Sequence, residues 1–308
     1  MSSSTTYRAN GKLLLTGEYM VLHGAKAIAL PLKLGQQLTV QYGLNSENII
    51  WQAFYEGNVW FSCELNPIDF SVIATNHPEK AETLSKIFRT IKMLNPAFHP
   101  KAGTKLETSL DANPEWGFGS SSTLISLLSQ WAGVDPFILN ELVFKGSGFD
   151  IACANADGPI FYVRNKPAQN IALDYPFADQ LFLVYSGRKK KTANEVNAFL
   201  KEKKVSDRLI QEISDLSDEF ATCPDQNKFN QLIRQHEEIV GALIGQIPVK
   251  EQFFNNFDGA VKSLGAWGGD FYLISTAQPF SGVKKYFDNR GLTTIFSWNE
   301  LILKRENQ

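Results

Sequence analysis

The chain has 308 residues, 44 % of them apolar and 20 % charged, with a formal net charge of −2. That balance excludes a global basic field for nucleic acid or an anionic membrane, and the length suits two modest domains or one large one. Cys63, Cys153 and Cys223 form no CxxC pair and show no His/Cys ligand spacing, which fits reduced thiols in a cytoplasmic protein rather than a zinc site or disulfide frame. The opening MSSSTTYRANGK lacks an apolar signal region, and no run of about 18 apolar residues follows, so neither a leader nor a membrane span is expected. Met1 to Thr6 are expected to fray.

In chain order, GKLLLTGEYMVL, KAIALPL and the alternating QQLTVQY predict strands. NIIWQAFYEGNVWFSCEL predicts a hairpin turning at Glu56-Gly57-Asn58, with Trp51, Phe54, Trp60 and Phe61 as its packing aromatics. HPEKAETLSKIFRTIKML predicts an amphipathic helix with Ala81, Leu84, Ile87, Phe88 and Ile91 on one face and Pro78 in the first turn. TKLETSL predicts a strand, and a Gly/Ser turn then leads into the apolar helix STLISLLSQW. Asp135-Pro136 starts a short helix running to Phe144, and KGSGFDIACANADG (145–158) follows, where Asp150 suits a helix cap. PIFYVR predicts a strand, and NKPAQN (165–170) is the expected boundary between domains 1–170 and 171–308.

The second half predicts strands at IALDY and LFLVY, then a capping box at Thr192 and Glu195 and helices over 206–221 and 226–246. A helix, the glycine-rich SLGAWGGD, a strand (DFYLIST), a helix (SGVKKYFDN) and a strand (LTTIFSW) complete the reading. Without regular βαβ alternation, the predicted class is α+β.

Three glycine-rich places and one lysine carry the chemical interest. Gly117-Phe118-Gly119-Ser120-Ser121-Ser122 opens a helix whose unpaired N–H groups and dipole suit phosphate, with hydroxyls able to reach Mg²⁺. The same pattern also reads as an ordinary Ser-capped helix, and it is not a Walker A loop. SLGAWGGD suggests backbone close to a ligand, or a plain helix C-terminal turn. Asp150, behind Gly146-Ser147-Gly148, either caps a helix or takes the proton of an attacking hydroxyl. Lys12 is either solvated or beside transferring charge.

Taken together and in order, these segments resemble the GHMP kinase superfamily. Ala9-Asn10-Gly11-Lys12 with Gly17-Glu18-Tyr19 is similar to its first motif, and Gly117 to Ser122 to its second. Gly146 to Asp150 resembles the S-G-x-D element, and Gly265-Ala266-Trp267-Gly268-Gly269-Asp270 the third motif. The set spans residues 9–270, and its branch is most similar to phosphomevalonate and mevalonate kinases. YSGRKKKT (185–192) resembles the segment that opens the second domain of phosphomevalonate kinase.

The resemblance implies a ribosomal protein S5 domain 2-like N-terminal domain and a ferredoxin-like C-terminal domain. It implies ATP and Mg²⁺ as cofactors, a small acidic substrate, no nucleic acid or membrane partner, and a monomer or homodimer. By the same resemblance Asp150 and Lys12 are catalytic, and Gly117, Gly119, Ser120, Ser121 and Ser122 bind the nucleotide, with Ser121 a metal ligand. Glu18, Tyr19, Ser147, Gly148, Lys191, Thr192, Gly268 and Gly269 face the acceptor. The implied activity is transfer of the γ-phosphoryl group to mevalonate or phosphomevalonate. A non-catalytic GHMP-fold regulatory protein and a diphosphomevalonate decarboxylase stand as alternatives. The chain departs from the pattern at Asn10, Leu264 and Trp267, and Leu139 stands where mevalonate kinases carry a Mg²⁺-binding glutamate. Trp116 adds a bulky ring beside the second motif. The run Arg188-Lys189-Lys190-Lys191 reads as a solvated loop or as a clamp for an acidic substrate.

Overall fold

The computed structural model describes residues 4–188, 205–265 and 269–305. Its contacts divide the chain into two compact units that interleave in sequence. Unit 1 comprises residues up to 11, 34–114 and 118–155; unit 2 comprises 12–33, 115–117 and 156 onward. The expected boundary segment 165–170 therefore lies within unit 2, where it forms a turn and a short strand.

Strands β1 (Ser4–Leu14) and β2 (Ala27–Gln41) each contribute residues to both units. Ser4 to Thr6, expected to fray, are the first residues of β1. KAIALPL and QQLTVQY are one strand rather than two. Gly35 lets β2 continue, because a side chain there would run into the Ala9 carbonyl oxygen. GEYMVL is not a strand: Met20–His23 form a 3-10 turn closed by Gly24 in the left-handed conformation.

In unit 1, β3 (Ile49–Tyr55) and β4 (Asn58–Leu65) form the expected hairpin. Glu56 (φ 49°) and Gly57 (φ 74°) both adopt positive φ, as a two-residue primed turn requires. With β5 (Val72–Thr75) and β6 (Lys105–Leu110), the order is β5-β4-β3-β6-β2, with β1 on β2. β3 and β6 run parallel; β3–β4, β4–β5 and β2–β6 run antiparallel. Helix α1 (Pro78–Leu94) buries the five predicted residues. It is joined by α2 (Ser120–Ala132), α3 (Pro136–Val143) and α4 (Phe149–Ala154). Asp135 caps α3 as read, accepting from the Phe137 and Ile138 N–H groups at 2.8 and 3.0 Å. Sheet and helices share one core, with Phe88 ringed by Phe70, Phe98 and Trp131 at centroid distances of 5.4, 6.3 and 6.1 Å.

In unit 2, Ala27 to Ala29 pair with β7 (Ile160–Tyr162), which pairs with β8 (Gln169–Asn170). The stretch IALDY is irregular and β9 (Leu181–Tyr185) is the strand. Helices α5 (Asp207–Ala221) and α6 (Gln226–Ile244) are capped by Ser206 and Asp225. The Thr192–Glu195 capping box lies outside the described residues. After α7 (Val249–Phe253) comes a correction: the residues before the third glycine-rich stretch are a strand, β10 (Ala260–Leu264), not a helix. All five of its residues are buried, against β11 (Phe271–Ser275) on one edge and α6 and α7 in packing contact. Helix α8 (Phe280–Asp288), strand β12 (Ile295–Ser297) and helix α9 (Trp298–Leu301) finish an antiparallel sheet of order β10-β11-β9-β12.

The core assignment makes a direct prediction. Phe88 is fully buried and Ile68 is 86 % exposed. Phe88→Ala should cost about 3–5 kcal/mol in a urea titration, and Ile68→Ala should stay within about 0.5 kcal/mol of the parent.

Candidate active site

In unit 1 the apolar helix α2 starts at Gly119, which is left-handed (φ 88°) and has no side chain with which to cap it. The Ser-capped reading is thereby corrected. The Ser122 hydroxyl instead donates to the Gly119 carbonyl (2.7 Å), and the Thr123 hydroxyl donates to Gln36 Oε1 (2.6 Å). Ser122 is buried, whereas Ser121 is exposed and Ser120 half-buried. The first N–H groups of an α-helix have no intrahelical acceptor, and the dipole adds partial positive charge there.

Ser120 and Ser121 stand at one side of a cavity of about 380 Å³ whose lining includes Trp51, Trp60, His77 and Lys80. Lys80 Nζ lies 2.7 Å from His77 Nε2 and 5.7 Å from the Trp60 ring centroid. Trp60 Nε1, His77 Nδ1 and Thr108 Oγ1, all on residues of this lining, are buried without a hydrogen-bond partner among the described residues. The Trp60 ring and the Lys80 ammonium give the cavity one aromatic and one cationic wall, which suits a flat, polar-edged ligand. The sequence reading treated these aromatics as hairpin packing. Their signal is non-local, because helix α1 supplies the lysine and α2 the serines.

Helix α4 packs on α2, and the Ser126 hydroxyl and Gln130 amide of α2 donate to Asn155 Oδ1 at 2.9 and 3.0 Å. Gly148 (φ 92°) is the residue at which α4 starts, so Asp150 is the second helical residue and not the cap. Its Oδ1 is buried with no partner among the described residues, an acceptor left unanswered inside the fold. Ser147 is half-buried and Gly148 buried in the same turn.

In unit 2, Lys12 is half-buried near the C-terminal end of β1. Glu18 and Tyr19 are buried, with Gly17 (φ 84°) and Tyr19 (φ 64°) forming a sharp turn. Lys262 Nζ donates to Glu18 Oε1 (2.5 Å), and His236 Nε2 lies 3.2 Å from both Glu18 Oε2 and the Gly17 N–H. Burial pushes the Glu18 carboxyl up, but Lys262 and His236 outweigh it and hold it below the ordinary glutamate value. Burial, then Lys262, holds His236 below the usual histidine value. Burial raises neighbouring Glu237 to about 8 despite Lys262, and its Oε1 accepts from the Ser263 N–H.

Beyond β10, Gly265 (φ 77°) and Asp270 (φ 48°) bracket the third glycine-rich stretch, and Gly269 is buried. A side chain at Gly117 would put its Cβ 2.5 Å from Asp270 Cγ, so the second motif's first glycine is required by contact as well as by its φ of 72°. Trp116 sits among the aromatics of unit 2, 5.4 Å from Phe296 and 6.2 Å from Tyr185 between centroids. Leu264 is fully buried in β10. Lys191, Thr192, Trp267 and Gly268 lie outside the described residues. Leu139 belongs to the unit 1 core, and no three His, Cys, Asp or Glu side chains converge as a metal site among the described residues.

The buried carboxyl at Glu237 carries a pH dependence. Between its ordinary value of 4.5 and about 8 the unfolded chain has released this proton while the folded chain keeps it. Stability contributed there is full below 4.5 and is lost as pH rises through 8. The melting temperature should fall between pH 5.5 and 8.5, and Glu237→Gln should flatten that fall by several degrees in calorimetry.

No family model matches the chain. Mevalonate kinase of Methanocaldococcus jannaschii is 25 % identical over 284 residues, covering 85 % of this chain and 89 % of that protein. The solved mevalonate kinase of Methanococcus jannaschii superposes with a TM-score of 0.73 at 18 % identity, covering 99 % of each chain. L. major mevalonate kinase in complex with R-mevalonate gives 0.69 at 16 %, covering 100 % of this chain and 98 % of that one. Streptococcus pneumoniae phosphomevalonate kinase in complex with phosphomevalonate and AMPPNP gives 0.69 at 14 %, covering 95 % and 99 %. Among the described residues, no helix is long and apolar enough to cross a membrane. The chain has the fold of the GHMP kinase superfamily, and these relatives in sequence and structure are GHMP-type kinases.

Proposed function

We propose that this protein is an ATP-dependent kinase of the mevalonate type, transferring the γ-phosphoryl group to the hydroxyl of mevalonate or to the phosphate of phosphomevalonate. The observation that carries this reading is the uncapped start of α2, with Ser120 and Ser121 beside an aromatic cavity. The cavity takes the nucleotide base, with Trp60 as its aromatic surface. The N–H groups at the start of α2 take the phosphates. Gly117 and Gly119 let the backbone come close to them.

Mg²⁺ commonly keeps several waters and uses few protein ligands alongside nucleotide phosphates, which fits a site offering the exposed Ser121 hydroxyl and no acidic cluster among the described residues. Bound with the nucleotide, it would neutralise phosphate charge.

Asp150 orients the acceptor oxygen and, where that oxygen is the hydroxyl of mevalonate, receives its proton as the new oxygen–phosphorus bond forms. The bond from the γ-phosphorus to the β,γ-bridging oxygen breaks, leaving ADP and a phosphate ester from mevalonate, or ADP and a diphosphate from phosphomevalonate. Lys12 stabilises the charge that moves onto the transferring group. The Glu18–Tyr19 turn, Ser147, Gly148, Gly268 and Gly269 shape the acceptor end. Lys191 and Thr192, with the basic run before them, hold the acceptor's anionic group. Phosphoryl transfer asks chiefly for such positioning and charge stabilisation.

Two variants separate chemistry from binding. Asp150→Asn should lower kcat roughly 10²- to 10⁴-fold while leaving the circular dichroism spectrum and the Mg-ATP Kd nearly unchanged. Trp60→Ala should weaken Mg-ATP binding about tenfold by calorimetry, an effect on the order of 1.4 kcal/mol. Wild-type turnover by the Asp150 variant on the true acceptor would remove the assigned proton acceptor.

A further inference from the structure

Strand β10 contains a lysine where burial calls for an apolar residue. Lys262 and His236 are fully buried, and Glu18 is 3 % exposed. Lys262 Nζ is satisfied by Glu18 Oε1 at 2.5 Å and by the Ser263 carbonyl at 3.0 Å. Desolvating both members of an ion pair costs several kcal/mol per ion, and apolar replacement of such a pair is often neutral or stabilising. Stability alone therefore does not account for a lysine and a glutamate here.

What the pair holds is a short piece of backbone. Thr16, Gly17 and Glu18 are each tied by a different buried side chain of unit 2. The Thr16 hydroxyl bonds Ser217 of α5 at 2.7 Å, the Gly17 N–H donates to His236 of α6 at 3.2 Å, and Glu18 is held by Lys262 of β10. Directly after these tethers comes Tyr19, a non-glycine residue at φ 64°, a conformation that persists only where its surroundings impose it. Gly17 has no room to relax, since a Cβ there would lie 2.6 Å from that of Ala27.

We infer that Lys262 is a positioning residue, which through its ion pair with Glu18 fixes the Gly17–Tyr19 turn in the shape that presents the acceptor end of the site. This inference rests on the kinase reading for what the turn presents, but not for the tether itself. Lys262 touches no reacting atom in this account; it acts through Glu18.

The experiment compares the full-length parent, Lys262→Met and the double variant Glu18→Gln/Lys262→Met. The double variant carries no lone buried charge, so it tests the tether even if Lys262→Met fails to fold. Amide hydrogen exchange over residues 16–22 should speed up at least tenfold in both variants, with α2 and α4 unchanged. With the acceptor that supports turnover, KM should rise at least tenfold while the Mg-ATP Kd moves less than threefold. Unchanged exchange over 16–22 would overturn the inference, as would an equal rise in acceptor KM and nucleotide Kd. A parent enzyme that binds ATP but turns over no acceptor would sink the kinase reading alone, and the exchange measurement would still decide the role of Lys262.

Discussion

An α-helix begins with N–H groups that its own backbone cannot answer, and something outside the helix has to accept from them. At the start of α2 that task falls to no capping side chain: Gly119 offers none, the Ser122 hydroxyl is spent on the Gly119 carbonyl, and that of Thr123 on Gln36. Two further features of unit 1 adjoin α2. The aromatic cavity lies beside Ser120 and Ser121, and α4 packs on α2 with Asp150 in its first turn. A glycine in the left-handed region serves both helix starts, Gly119 for α2 and Gly148 for α4. A side chain would be strained at either position.

Unit 2 has a different physical logic. Four ionisable side chains, Glu18, His236, Glu237 and Lys262, lie in its interior at no more than 3 % exposure. Lys262 and Glu18 form an ion pair and compensate each other, while burial favours the neutral forms of His236 and Glu237. Such a network specifies geometry more than it adds stability, and it binds the first motif's turn to the strand that leads into the third.

Much of this was legible in the sequence where local chemistry decides the outcome. Pro78 and the apolar spacing after it marked α1, Asp135-Pro136 marked α3, and Glu56-Gly57 marked the hairpin turn. The four motif elements, in order, pointed to the fold. Legibility failed where tertiary context overrides local preference. β10 hid behind Lys262, whose charge is answered by a carboxylate 244 positions away. Asp150 looked like a cap because an acid follows a glycine turn, yet Gly148 starts the helix. Nor did the cavity show in any window, because Trp51, Trp60, Lys80 and Ser121 come from four separate elements.

The central claim is phosphoryl transfer, and acceptor-dependent ADP formation tests it most directly. Purified protein with Mg-ATP would be offered mevalonate, 5-phosphomevalonate, 5-diphosphomevalonate, homoserine and galactose in turn. ³¹P NMR would follow ADP together with any new phosphate ester or diphosphate. The account predicts stoichiometric ADP and phosphate ester with mevalonate, or ADP and diphosphate with 5-phosphomevalonate, and neither with the others. ADP formed with 5-diphosphomevalonate alone, accompanied by free phosphate and loss of carbon dioxide, would contradict it, as would ATP binding with no turnover on any acceptor.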